Sequence, residues 1–147
     1  MNTEPMEFID LPASLKFGLT TMLRSRNICP TSQRLAIAGQ LFACYQHLTA
    51  NELHRILVRK GSDIARATVY NTLNLFVEKG LLREILVNGE ETYYDTNPTR
   101  HHHIYNLDTG ELSDLPGSEA IDLSGLQLPP GLLLDRVEVV VRVRQAV

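Results

Sequence analysis

The 147-residue sequence predicts an α+β fold in two parts: a helical part closed by a β-hairpin, then a smaller part built mostly from strands. Three observations carry that expectation. Four stretches between Ser14 and Lys79 repeat their apolar residues at helical spacing, two strand-like stretches flank Asn88-Gly89, and Val137 to Val143 alternates valine with charge. With 44% hydrophobic and 21% charged residues the chain can bury a core, and its length rules out a large multi-domain enzyme.

Leu15, Leu19, Met22 and Leu23 place a first helix over 14–26. Pro30-Thr31 starts a second, running to about Cys44 with Leu35, Ile37, Ala38, Leu41 and Phe42 on its apolar face. Cys44, at the end of that face, is expected to be buried. Thr49-Ala50-Asn51-Glu52 has the spacing of a capping box, in which hydroxyl and carboxylate satisfy each other's orphan amides. A third helix follows it and ends at Lys60-Gly61. A fourth runs from about Ala65 to Lys79, burying Val69, Thr72, Leu73 and Phe76. On its other side Arg66, Tyr70 and Asn74 recur at i, i+4 and i+8, beside Ala67 and Asn71, so that face is polar and aromatic with almost no acid.

Strands over 82–87 and 90–95 around Asn88-Gly89 predict a type I′ hairpin, and helices two to four with that hairpin make a winged helix-turn-helix. Asn97-Pro98-Thr99 interrupts the strand and marks a boundary, giving an N-terminal domain of residues 1–97 and a C-terminal domain of 98–147. The second domain reads as strands at 101–107, 111–115 and 137–143. Between the last two, Ile121, Leu123 and Leu126 are compatible with one short helix. About 50 residues with three strands bury too little alone, so this small α/β domain is expected to complete its core as a homodimer.

The formal charge of −3 hides a polarity along the chain. Residues 14–83 hold ten Lys or Arg against three acids, for +7; residues 84–147 hold four Arg against eleven acids, for −7; residues 1–13 contribute −3. A basic module joined to an acidic one suits a polyanion-binding half and a half that binds cations or dimerises. Only Cys29 and Cys44 are present, which argues against a disulfide framework and against a thiolate-only zinc site, so a metal would need His and carboxylate ligands. No apolar run approaches the ~20 residues that span a bilayer, and Met1 to Phe8 lacks a signal-peptide pattern; a cytoplasmic location is expected. On an extended strand His101 and His103 share one side and His102 takes the other, a His-x-His clamp suited to a metal ion or to haem iron.

Pro30-Thr31-Ser32-Gln33-Arg34-Leu35-Ala36-Ile37, His47-Leu48-Thr49-Ala50-Asn51-Glu52-Leu53 and Ala67-Thr68-Val69-Tyr70-Asn71-Thr72-Leu73, in that order and spacing, closely resemble the ferric uptake regulator (Fur) family. His101-His102-His103 followed by Asp108-Thr109-Gly110-Glu111, without a Cys pair, looks most like its iron response regulator (Irr) branch. The resemblance implies a homodimeric DNA-binding transcription regulator, more a repressor than an activator, acting at AT-rich operators of iron-homeostasis genes and responding to metal or haem. Relatives responding to another divalent metal or to peroxide are the alternative it leaves open.

Carried over residue by residue, Tyr70 matches a recognition-helix tyrosine, Asn71 stands where many relatives have an Arg that reaches DNA, and Arg66 and Thr68 lie where that helix meets phosphate. His47 and Asp95 match the His and carboxylate of the regulatory site, and one deletion brings His101, His103 and Asp114 onto its other ligands. Such mixed nitrogen and oxygen ligation suits Fe, Mn or Zn. Haem is the rival effector, through His101, His102, His103 and Cys29, although a small side chain before the helix-starting Pro30 is the plainer account of Cys29. Asn106-Leu107-Asp108-Thr109 replaces the relatives' Cys-x-x-Cys, which removes the structural four-cysteine zinc, and Val137 stands where another site would place a His. A small His-ligated metalloenzyme is a remote reading, because no positioned nucleophile or Gly-rich phosphate loop accompanies the histidines.

Overall fold

The computed structural model describes residues 11–87, 89, 91–97, 99, 101–117 and 122–147, and the chain divides into two compact units, Met1–Pro98 and Thr99–Val147. The first unit contains helices α1 (Ala13–Ser25), α2 (Ser32–Leu41), α3 (Ala50–Arg59) and α4 (Arg66–Glu78). Its strands are β1 (His47–Thr49), β2 (Arg83–Leu86) and β3 (Thr92–Asp95), in the antiparallel order β1-β3-β2. Leu23, Ile37, Leu41, Leu53, Leu57, Val69 and Phe76 are fully buried at the centre of the helices. Each such side chain contributes roughly 1.5–3 kcal/mol of transfer free energy.

Local chemistry explains the helix ends. The Thr49 hydroxyl accepts from the Glu52 amide at 3.1 Å and the Glu52 carboxylate accepts from the Thr49 amide at 3.0 Å, which is the capping box expected at the start of α3. Gly61 (φ 87°) and Gly80 (φ 76°) take the left-handed conformation after α3 and α4. There the amides of Ser62 and Leu81 close onto the carbonyls of Leu57 and Phe76. Helix α2 stops at Leu41, earlier than its apolar pattern predicts. The Gln46 side-chain amide donates to the Gln40 and Leu41 carbonyls at 2.9 and 2.7 Å, occupying acceptors that another helical turn would need. Cys44 therefore lies beyond the helix and is exposed, not buried as the sequence predicts.

The hairpin also differs from expectation. Ile85 pairs with Tyr93 and Leu86 with Thr92, so the register centres on Gly89 and the strands end at Leu86 and resume at Thr92. A two-residue type I′ turn at Asn88-Gly89 would instead set Ile85 opposite Thr92. The observed register matches the buried Ile85 with the buried Tyr93, and that side-chain match outweighs the turn signal. Gly89 has φ 79°, while Asn88 lies outside the described residues. Strand β1 has no counterpart in the sequence pattern: its three residues acquire strand character only by pairing with β3.

The second unit holds β4 (His103–Asn106), β5 (Leu112–Asp114) and β6 (Val140–Val143) in the order β5-β4-β6, with β4 antiparallel to β5 and parallel to β6. Strand β4 begins at His103, two residues later than expected, and β6 is shorter than the valine alternation. Leu123 and Leu126 fall in a turn closed by the Leu126 amide on the Leu123 carbonyl, so residues 122–139 contain no helix; Ile121 lies outside the described residues. Among the described residues no helix is long and apolar enough to cross a membrane.

Candidate metal centre and nucleic-acid interface

Helix α4 buries Val69, Thr72, Leu73 and Phe76, which turns Arg66, Ala67, Tyr70, Asn71 and Asn74 outward. Tyr70 is 39% exposed on that face. Thr68 is half-buried beside a groove that it forms with Asn71 and Thr72 of α4, with Gln33 and Arg34 of α2, and with Thr31 just before α2. Thr31 caps α2, and Arg34 donates from its guanidinium to the Cys29 carbonyl at 2.9 Å. The start of α2 and the first two turns of α4 thus line one groove beside Arg34. That Thr31 and Gln33 line this groove is not legible in the sequence, because it depends on how two helices pack.

Candidate metal ligands lie in each unit. In the first, β3 is the central strand and Asp95 stands between His47 of β1 and Arg83 of β2 in the Cα register. The Asp95 side chain is almost fully buried: Oδ1 accepts from the Asn97 amide at 2.9 Å and Oδ2 lies 3.2 Å from His47 Nε2. A buried carboxylate is costly unless it is paired or holds a cation, so this one fits the part of an anionic metal ligand.

In the second unit, His101 Nε2 lies 3.1 Å and His103 Nε2 3.8 Å from the same oxygen, Asp114 Oδ1. The register sets His103 opposite Asp114, and the His101 and His103 rings meet edge to face at 4.6 Å between centroids. His101 precedes the strand, yet its ring still lies on the side of His103. His102 takes the other side, as alternation predicts: its Nδ1 accepts from the Val139 amide at 3.1 Å.

One contact defines what this cluster can hold. His101 Nδ1 sits 2.6 Å from the Thr99 carbonyl oxygen, which can only accept, so Nδ1 carries the proton. In a neutral ring Nε2 then presents a lone pair to the Asp114 carboxylate, two acceptors face to face. A lone-pair nitrogen beside a carboxylate oxygen is a pair that a divalent metal ion can join. A backbone carbonyl fixing the outer nitrogen of a His is also the second-sphere support that metal-ligating histidines need.

Tyr94 carries no signal in the sequence pattern. It neighbours Asp95 on β3 and packs its ring against the helical core; burial, then the charge of Glu84 and the presence of Tyr70, raise its pKa above the ordinary 10.0. Cys29 and Cys44 are both exposed free thiols.

The profile of the Ferric uptake regulator family matches residues 25–125. The peroxide-responsive repressor PerR of Staphylococcus epidermidis is 33% identical over 92 residues, which cover 63% of this chain and 61% of that protein. PerR of Staphylococcus aureus is 33% identical over the same number of residues. The chain therefore spans about three fifths of the length of these relatives. Among solved structures, the ferric uptake regulator of Pseudomonas aeruginosa with manganese superposes with a TM-score of 0.67 at 24% identity, covering 86% of this chain and 97% of that one. A zinc-bound manganese uptake regulator gives 0.69 at 24% identity, covering 87% and 98%. These structures share the α+β fold, a winged helix followed by a small second unit, which in this chain carries a three-stranded sheet and no helix among the described residues rather than the expected α/β arrangement. With a profile match over more than half of its length, this chain belongs to the ferric uptake regulator family.

Proposed function

We propose that this chain is a metal-responsive DNA-binding regulator, a repressor, and that His47, Asp95, His101, His103 and Asp114 together hold one divalent metal ion whose presence sets affinity for an AT-rich operator. The observation that carries the proposal is the convergence of His101 Nε2 and His103 Nε2 on Asp114 Oδ1, with the His101 tautomer fixed by Thr99. Two donors from the first unit and three from the second complete a set of three imidazoles and two carboxylates, suited to Fe(II), Mn(II) or Zn(II). The ion supplies charge neutralisation and a fixed geometry. Protein residues do the rest: Thr99 orients His101, Asn97 orients Asp95, and strand β3 joins the ligand Asp95 to the DNA-binding unit.

Arg66, Thr68, Tyr70 and Asn71 are the proposed DNA contacts, Tyr70 reading thymine methyl groups in the major groove and Arg66 and Thr68 meeting phosphate. Exposed leucines at positions 123, 126, 128 and 132–134, together with the edge strand β6, support a homodimer. A metal ion is favoured over haem because His102 Nδ1 is engaged by the Val139 amide, so the three histidines do not act as one haem-binding run. Iron is the effector implied by the likeness to the Irr branch. The names of the relatives keep manganese and peroxide response as alternatives.

The test uses the purified chain and a duplex that it enriches from a randomised library, with Mn(II), Zn(II), Fe(II) and haem titrated in turn. A metal should change duplex affinity about 5- to 150-fold, the ordinary range of allosteric coupling. Tyr70→Ala should lower affinity for the enriched duplex about 10- to 100-fold while leaving binding to random duplex nearly intact. Unchanged affinity with every metal, or equal losses on both duplexes, would overturn the proposal.

A further inference from the structure

The hydroxyl of the buried Tyr94 reaches the outward face of α4. Tyr94 is 3% exposed and belongs to the core, and its hydroxyl lies 3.5 Å from Oδ1 of Asn74, at the long end of hydrogen-bond reach. Asn74 is exposed and stands one helical turn beyond Tyr70 on the same face. Among the described residues Asn74 is the hydrogen-bond partner this hydroxyl has. A phenol bound between helix and sheet needs an acceptor for its proton, and the amide oxygen is one. Were the carboxamide turned over, its NH2 would face the hydroxyl and the donation from the phenol to the amide oxygen would be lost.

We propose that Tyr94 is a positioning residue that holds the Asn74 carboxamide with its oxygen inward and its NH2 outward, making Asn74 a hydrogen-bond donor to acceptor groups in the major groove. The consequence is chemical. An outward NH2 donates to purine N7, guanine O6 or thymine O4 and disfavours the amino groups of adenine and cytosine, whereas a freely turning amide accepts or donates without preference. The buried tyrosine thus sets which base edges an exposed residue can read. It also stands directly before Asp95 on β3, so the strand that carries a proposed metal ligand also carries the group that orients Asn74.

This inference rests on α4 being the DNA-reading helix, and the experiment separates the two. Wild type, Tyr94→Phe, Asn74→Ala and the double variant are compared on the library-enriched duplex, on random duplex, and on the enriched duplex carrying each single base substitution. Tyr94→Phe keeps the ring and removes only the hydroxyl. It should cut the preference for enriched over random duplex about three- to tenfold, the worth of one hydrogen bond, and flatten base preference at one position. In the Asn74→Ala background it should change nothing further. Additive effects, a loss equal on all duplexes, or an unchanged base preference would overturn the role of Tyr94 while leaving α4 as the reading helix. Should the wild-type chain enrich no duplex at all, the reading of α4 falls and takes this inference with it.

Discussion

Replacing Asp95 by Asn separates its structural contribution from its proposed role as a ligand. The carboxamide has the same shape, its oxygen can still accept from the Asn97 amide at 2.9 Å, and its NH2 can donate to His47 Nε2, now 3.2 Å from the carboxylate. Without metal the variant should therefore keep its stability within about 1 kcal/mol, since both of these contacts can be kept and a buried charge is removed. With metal the balance changes, because an anionic donor has become neutral. A ligand at one hundred times its Kd stabilises the folded state by about 2.7 kcal/mol, and if the substitution weakens affinity a hundredfold the same concentration gives about 0.4 kcal/mol. The difference of about 2.3 kcal/mol corresponds to roughly 5–9 °C in Tm for a chain of this size. Urea and thermal unfolding with and without Mn(II), at one hundred times the wild-type Kd, measure both quantities. Full metal stabilisation in the variant would show that Asp95 is not a ligand. A loss of more than about 3 kcal/mol without metal would show that the carboxylate serves the fold.

Thr49→Ala removes the hydroxyl that caps α3 and should cost about 0.5–2 kcal/mol in urea unfolding, with Thr49→Ser recovering most of it. His102→Ala leaves the Val139 amide without its acceptor and should destabilise the second unit by about 1–3 kcal/mol while preserving the metal response, whereas His101→Ala with His103→Ala should abolish that response. The raised pKa of Tyr94 places folded above unfolded, so its contribution to stability is complete below about pH 10 and is lost as pH rises through the folded value. Tyr94→Phe should remove that alkaline loss from a stability-versus-pH series. An unchanged slope would mean the phenol does not titrate within the folded protein.

Features of this chain are legible in the sequence where the determining chemistry is local. The Thr49–Glu52 capping box spans four residues, and the outward face of α4 follows from 100° per residue, so the residue order alone announces both. The His-x-His alternation is legible for the same reason, whereas Asp114 comes only from the family resemblance, since nothing near it in the chain marks it as a partner of His103. Expectations fail where distant residues decide. The Asn88-Gly89 dipeptide suggests a two-residue turn, but the match of Ile85 with Tyr93 sets the register. Gln46, reaching back to the Gln40 and Leu41 carbonyls, ends α2 and leaves Cys44 exposed. Strand β1 and the Tyr94–Asn74 contact are likewise products of packing, with no pattern along the chain to announce them.

Whether donors from both units ligate one ion is tested most directly by X-ray absorption on the Zn(II)- or Mn(II)-loaded protein. The predicted result is one ion per chain with three imidazoles, carboxylate oxygens and no sulfur. His47→Ala and His101→Ala should each remove one imidazole from the shell of that same ion. A shell that keeps all its imidazoles in His47→Ala would contradict shared ligation, because the first-unit pair and the second-unit trio would then be separate sites, and sulfur scattering would contradict it by bringing Cys29 or Cys44 into the coordination.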